Sequence, residues 1–408
     1  MTRADALALD AADPLAHFRE RFAIADPELI YLDGNSLGRL PLATRDRLAT
    51  LVEEWGTRLV TAWEDWIDLP TQVGDLIAEG VLGAAGGEVV VCDSTTVNLY
   101  KLVRALLAHR RGALVTDAGN FPTDRYVLEG LGRELRQFDA APIEGPSADD
   151  VARVVAAGDV AVLVLSHVAY RSGAVADLHG IQAAAGDVPI VWDLSHSVGS
   201  VPTDLHANEI RYAVGCTYKH LNAGPGAPAF LYVRRDAQPG LRSPIQGWFG
   251  QAEQFDMERP YDPVPGIGRF LTGTPPILGL AAVQEGAKLT AEAGMEAIAR
   301  TSASLTGLIV DYADAALSPL GFTLGSPRDP ARRGAQVALR HPEAWPICRA
   351  LIERARVIPD FRGPDIVRLG VAPLSTTHAE LFDALERLRD LVERGEHERV
   401  DATRSRVT

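Results

Sequence analysis

Two apolar runs in the middle of the chain each end on residues able to do chemistry, and few folds accommodate that arrangement. Pro189-Ile190-Val191-Trp192 stops on Asp193, and Tyr212-Ala213-Val214-Gly215-Cys216 stops on Thr217-Tyr218-Lys219-His220 before the turn residues Gly224-Pro225-Gly226. Short apolar runs bounded by turn residues are the pattern of buried parallel strands, which deliver polar side chains only at their ends. The 26 residues from Asp193 to Lys219 suffice for one strand, a crossover and a second strand. An acid and a lysine are therefore expected side by side at one sheet edge.

The rest of the chain agrees with that reading. Apolar runs at 89–91, 113–115 and 160–165 alternate with helical patterns at about 96–109, after Pro122 and near 177–186. Strands alternating with helices of this length predict an α/β fold with a mostly parallel, doubly wound central sheet whose C-terminal edge is the working one. Leu48, Leu51, Val52, Trp55 and Leu59 predict an amphipathic helix from Thr44 leading into this large domain. From about 290 the chain turns helical, then shows apolar stretches at 337–339, 357–358 and 367–369 and a closing helix near 377–393, the pattern of a small α+β domain. The expected division is an N-terminal segment, 1–44, packing with the small domain, a large domain over 45–290 and the small C-terminal domain over 291–408. The polar tail from Arg394 is expected to fray.

Composition narrows the class of function. With 40 basic against 54 acidic residues the net charge is −14, which argues against a general nucleic-acid or anionic-membrane surface. Cys92, Cys216 and Cys348 are far apart, two of them within apolar runs, so reduced core thiols are expected rather than a disulfide framework or a metal site. The N-terminal stretch is acidic throughout and has no apolar signal core, so a cytoplasmic protein is expected.

A lysine and a carboxylate at neighbouring strand ends suit pyridoxal phosphate (PLP). That cofactor needs a lysine to hold its aldehyde and a carboxylate to keep its ring nitrogen protonated, so that the ring draws electrons from bound substrate. Taken singly, Asp193 reads better as a helix cap and Lys219 as a surface lysine. Other strand ends add candidates. Asp93-Ser94-Thr95-Thr96 opens a helix with more hydroxyls than a cap requires, and a helix N-terminus is a ready phosphate site. Asn120-Phe121-Pro122-Thr123-Asp124 offers an aromatic face beside a helix-starting proline, which is also an ordinary structural pairing. Arg368, flanked by Val367 and Leu369, is either a carboxylate grip or a structural ion pair between strands.

Six motifs in order, YLDGNSLG at 31–38, FPTD at 121–124, DLSHSVG at 193–199, TYKHLNAGPG at 217–226, GWFG at 247–250 and GTPPIL at 273–278, resemble the kynureninase family. That family comprises PLP enzymes of the aspartate aminotransferase fold (fold type I), and the matches run from Tyr31 to about Pro373. The resemblance implies hydrolytic Cβ–Cγ cleavage of L-kynurenine to anthranilate and L-alanine in tryptophan catabolism. Lys219 would be the proton shuttle, Asp193 the partner of the ring nitrogen and Tyr218 the general acid. Thr95 and Thr96 would receive the phosphate, and Phe121 would stack on the ring. Pro122, Thr123, Asp124, Ser166, His196, Tyr218, Trp248 and Thr274 complete the implied cofactor set, the last two reaching across a homodimer interface so that the active sites are shared. Arg368 would bind the substrate carboxylate, its VRLGVAP context resembling the family's IRVAP, with Asn35, Ser36 and Trp63 as further substrate neighbours. His167 and Tyr170 are expected to be structural. A cysteine desulfurase-like lyase or an aminotransferase of the same fold is the enzymatic alternative, and a cofactor-binding sensor the non-catalytic one.

Overall fold

The computed structural model describes residues 1–401 and 403. A two-residue strand, β1 (Ile30–Tyr31), precedes the large domain, whose seven-stranded sheet comprises β2 (Val89–Val91), β3 (Ala113–Asp117), β4 (Leu135–Phe138), β5 (Val160–Ser166), β6 (Ile190–Asp193), β7 (Tyr212–Gly215) and β8 (Phe230–Val233). The order across the sheet is β2-β8-β7-β6-β5-β3-β4. All pairings are parallel except those of β8, which runs antiparallel to both its neighbours. Its central strands are buried on both faces, which is why β5 and β6 read as unbroken apolar runs.

Register brings the chemistry together. Ser166 pairs with Asp193 and Asp193 with Val214, so the C-terminal ends of β5, β6 and β7 lie level along one edge. Thr95–Leu106 and Pro122–Gly130 are the helices that follow β2 and β3. The mostly parallel sheet is therefore as the alternation predicts. Two of its strands escape that pattern. β4 is a partly exposed edge strand, and β8 reverses direction.

A second core belongs to the C-terminal region. There β9 (Thr323–Leu324), β10 (Gln336–Arg340), β12 (Asp360–Arg362) and β13 (Ile366–Gly370) form an antiparallel sheet in the order β12-β13-β10-β9, while β11 (Val357–Ile358) pairs with β1. Helix His378–Glu393 covers this core with eight buried residues, among them Leu381, Leu385 and Leu388. The first helix, Arg3–Ala12, joins it through Ala6, and Asp10 accepts the backbone amides of His378 and Ala379.

The structure corrects two expectations. The tail does not simply fray after Arg394, because residues 396–399 form a 3-10 turn whose His397 is buried against Glu343. Residues 402 and 404–408 of that tail lie outside the described residues. The helix expected from Thr44 spans Leu42–Arg58, but only Leu51 of its apolar positions is fully buried. Val52, Trp55 and Leu59 are 50%, 58% and 63% exposed, so most of the stripe faces outward from the single chain. Among the described residues no helix is long and apolar enough to cross a membrane.

Helix Ile277–Ala293 lies so close to the turn after β7 that a Cβ on Gly286 would sit 1.8 Å from the Leu221 carbonyl oxygen. Overpacking of this kind costs about 1–3 kcal/mol. Gly286→Ala is expected to lower the urea midpoint accordingly, as measured by circular dichroism. An unchanged midpoint would mean that helix and turn separate without cost.

Candidate active site

The edge of the sheet holds Asp193 and Lys219 by short hydrogen-bonded turns. Ser195 donates its amide to Asp193 Oδ1 at 2.8 Å, and its hydroxyl accepts the Cys216 amide at 3.1 Å, tying the loop after β6 to the loop after β7. Asn222 donates its amide to the Lys219 carbonyl, and Thr217 Oγ1 donates to the Pro228 carbonyl at 2.8 Å. The N-terminal loop closes over this turn, with the Gly38 amide donating to the Tyr218 carbonyl at 2.8 Å. Any side chain at Gly38 would strike Lys219, since a Cβ there would stand 2.3 Å from the Lys219 oxygen.

Lys219 Nζ lies 3.3 Å from both ring nitrogens of His196 and 5.9 Å from the centre of the Phe121 ring. Together with Thr95, Thr96, Thr123, Asp124, Asp193, Ser195 and Tyr218, these residues line a cleft of about 110 Å³. Ser94 caps the helix at the Val97 amide, leaving the first-turn amides of Thr95 and Thr96 for a ligand. Nine of the thirteen expected cofactor contacts thus meet in one cavity. Pro122 begins the helix on its rim.

Burial sets the electrostatics. It raises the carboxyl of Asp193, against the pull of Ser195 and Lys219, and raises that of Asp124 well above the usual range, with the charge of Asp193 adding to it. His196 is driven well below its ordinary value by burial and by Lys219, so its ring is neutral. Burial raises the Tyr218 phenol as well, which keeps its proton in place at neutral pH. His220 and His167 are held down by burial to about 3 and about 4. His167 packs edge-on against Trp192.

Ser166 does not line the cleft. Its hydroxyl donates to Asn120 Oδ1 at 2.6 Å, and the same oxygen accepts the Phe121 amide at 2.8 Å. Asn120 anchors itself by donating to Thr116 Oγ1 at 3.0 Å, so it fixes the backbone from which Phe121 projects. Tyr170 packs edge-on against Phe121 with ring centres 5.2 Å apart.

Arg368 is fully buried and faces Asp360, its antiparallel partner across β12 and β13. The guanidinium also donates to the Tyr170 carbonyl and to Ser36 Oγ, the latter at 3.2 Å. With its amide oxygen turned inward, Asn35 accepts from Arg368 Nε at 2.9 Å. Asn35 and Ser36 therefore meet the guanidinium, and none of the three lines the cleft around Lys219. Desolvation holds Arg368 down to about 10 even with Asp360 beside it. Trp63, Trp248 and Thr274 stand apart from the cleft in the single chain. Trp63 lines a separate apolar cleft of about 400 Å³ with Leu51, Trp55, Trp66, Pro276, Ile277 and Leu278.

Sequence reasoning missed Ser195, Asn120, Asp33 and Asp360. Ser195 was within reach, because a serine two residues past a strand-end aspartate commonly closes the turn on its carboxylate. Asp360 carried no local signal, since only pairing of β12 with β13 sets it opposite Arg368.

The donor set fits PLP. The cleft joins a lysine, a helix N-terminus flanked by hydroxyls, a flat aromatic face and two buried carboxylates, and Asp124 Oδ2 has no hydrogen-bond partner. Buried carboxylates raised in this way are satisfied by a cationic ring nitrogen.

Comparison with known proteins agrees. The aminotransferase class-V family model matches residues 77–338, and the kynureninase C-terminal domain model matches residues 298–388. Among solved structures, a lysine variant of C-DES with glycine covalently linked to its PLP cofactor superposes with a TM-score of 0.78 at 20% identity, covering 91% of this chain and 99% of that one. The cysteine desulfurase of Thermococcus onnurineus NA1 gives 0.77 at 18% identity, over 93% and 98% of the two chains. Fold and family model together define a class-V aminotransferase-type protein. Kynureninases from Pseudomonas fluorescens and Burkholderia pseudomallei (strain 1106a) are 42% and 40% identical to it, each over 96% of both chains. The chain belongs to the kynureninase family.

Asp33, beside Asp360 and Arg368, is lifted from 3.8 to about 6, chiefly by burial and then by the charge of Asp360. Between those values the folded protein holds a proton that the unfolded chain has lost, so stability falls as pH rises from about 4 to about 6 and stays lower above. At about 1.4 kcal/mol per unit, discounted for partial exposure, Asp33→Asn should gain about 2 kcal/mol at pH 7.5 and almost nothing near pH 4. Urea titrations at the two pH values measure the difference. An equal effect at both would assign it to packing.

Proposed function

We propose that the protein binds PLP at Lys219 and hydrolyses the Cβ–Cγ bond of L-kynurenine, releasing anthranilate and L-alanine. The observation that carries this reading is the convergence of Lys219 and Asp193 from adjacent strand ends into one cleft, in a chain that belongs to the kynureninase family. The cofactor would supply an electron-withdrawing ring covalently held by Lys219. Asp193 would sustain the positive ring nitrogen, with Asp124 as the second carboxylate beside it. Thr95, Thr96 and the helix amides would take the phosphate.

The remaining roles follow from the state of each group. Lys219 Nζ lies beside neutral His196 in the cleft it shares with Asp193 and Asp124, where it would release and recover the substrate α-proton. Tyr218, kept protonated, can donate to the leaving fragment. Arg368 would grip the substrate carboxylate, with Asn35 and Ser36 aiming the guanidinium and Asp360 holding it when substrate is absent. Exposed apolar side chains at Trp55, Leu59, Val60 and Leu278 support a homodimer. Such a dimer would bring Trp248 and Thr274, both at the surface of one chain, to the partner's site. The free thiols support a cytoplasmic location.

The desulfurase alternative is disfavoured by a specific observation. Such chemistry needs an accessible thiol on a mobile loop, whereas Cys92, Cys216 and Cys348 are all free and buried, and burial raises each thiol. The decisive assay follows fluorescent anthranilate released from L-kynurenine with no keto-acid acceptor. Continuous turnover is expected, and Lys219→Ala should lose at least about 10²–10⁴-fold in rate together with the absorbance of lysine-bound cofactor. A single half-reaction would indicate a transaminase instead, and a protein indifferent to PLP would end the proposal.

Substrate choice follows from the apolar cleft. Trp63 shares it with Pro276 and Ile277, two and three residues past Thr274, which supports both Trp63 and Thr274 as walls of an aryl pocket completed by the partner. An indole and a short threonine hydroxyl present fewer groups to a ring hydroxyl than a His and an Asn would, and leaving one unpaired costs about 1–3 kcal/mol. L-Kynurenine should therefore be preferred over 3-hydroxykynurenine by about ten-fold or more in kcat/KM. Trp63→His with Thr274→Asn should erode that ratio. A folded double variant with an unmoved ratio would show that Trp63 only packs against Trp66 and Phe249.

A further inference from the structure

Lys101 is a fully buried lysine outside the cleft, on the helix that begins at Thr95. Its ammonium donates to Asp93 Oδ2 at 2.6 Å and to the Phe270 carbonyl at 2.7 Å, with Cys92 Sγ 3.3 Å away. These partners come from two different segments. Asp93 ends the run from β2 in a left-handed conformation (φ 47°), uncommon for a residue with a side chain, and the helix with Thr95 and Thr96 starts two residues later. Phe270 lies on the segment leading to Thr274, and Thr272 Oγ1 reaches back to the other oxygen of Asp93 at 3.4 Å.

A third segment rests on the second. Phe249 donates its amide to the Thr272 carbonyl, and a Cβ on Gly247 would stand 2.1 Å from that oxygen, so Trp248 is carried by backbone pressed against Thr272. One ammonium thus ties two of these stretches directly and the third through Thr272, and the three carry Thr95–Thr96, Thr274 and Trp248 of the implied cofactor set. Burying it is costly, and an apolar side chain of similar volume would fill the space at less expense. Its charge has a second use. The Asp93 side chain is 25% exposed, and without its cation it would set a bare carboxylate two residues before the Thr95–Thr96 turn.

We propose that Lys101 is a positioning residue for the cofactor phosphate, neutralising Asp93 and locking the Thr95–Thr96 turn to the segments that carry Trp248 and Thr274. The inference rests on the PLP reading above. Its test compares PLP with pyridoxal, which has the same ring and aldehyde but no phosphate, by titrating each into wild-type and Lys101→Met apoenzyme and following absorbance. In the wild type PLP should bind far more tightly than pyridoxal. Lys101→Met should reduce that preference at least ten-fold by weakening PLP while leaving pyridoxal nearly unchanged. Should Lys101→Met fail to fold, the Lys101→Met/Asp93→Asn double variant removes both charges and also breaks the lock, so the same loss of preference is expected. A folded variant that keeps the wild-type preference overturns the role of Lys101, as does one that loses both ligands equally. A wild type that binds the two alike would dismiss the phosphate site itself.

Discussion

The site depends on keeping a cation and two carboxylates together in a place from which water is largely excluded. Asp193 and Asp124 are both buried and both resist ionisation, and Lys219 is the nearby charge that pulls each back toward the ionised form. Only a rigid frame can hold such groups in register, and the level strand ends of β5, β6 and β7 provide it. The neutral rings of His196 and His220 add no competing charge, so the field in the cleft is set by very few groups.

A second layer keeps this frame stiff. Asn120 ties β3, β5 and the Phe121 turn through one amide, and Ser195 ties the loops after β6 and β7 through one hydroxyl and one backbone amide. Neither residue would react with anything. Each replaces a flexible loop by a short hydrogen-bonded path, so the reacting groups need little reorganisation.

The parallel sheet and its acid–lysine edge are legible in the sequence because local order writes them. A buried parallel strand must be continuously apolar and must stop where a polar side chain begins, so Asp193 and Lys219 mark their own positions. The reversed strand β8 carries the same apolar signature as its neighbours, and nothing local states its direction. Arg368 stands out as an arginine among apolar residues, yet its partners come from the N-terminal loop, from Tyr170 and from β12, and no spacing rule connects them. The outward stripe of Val52, Trp55 and Leu59 misleads for a related reason, since periodicity reports that a face is apolar without saying what will cover it.

The N-terminal loop gives the molecule a particular order of assembly. Its Ser36 meets Arg368 across 332 residues of sequence, β1 pairs with β11, and Gly38 closes on the Tyr218 turn. A ribosome releases this loop long before its partners in the small domain. The large sheet can be complete while Ser36 still waits, so the grip around Arg368 forms only after β12 and β13 have emerged. A truncated product ending before β12 would carry a finished Asp193–Lys219 edge with neither Asp360 nor Arg368 to complete the second half of the site.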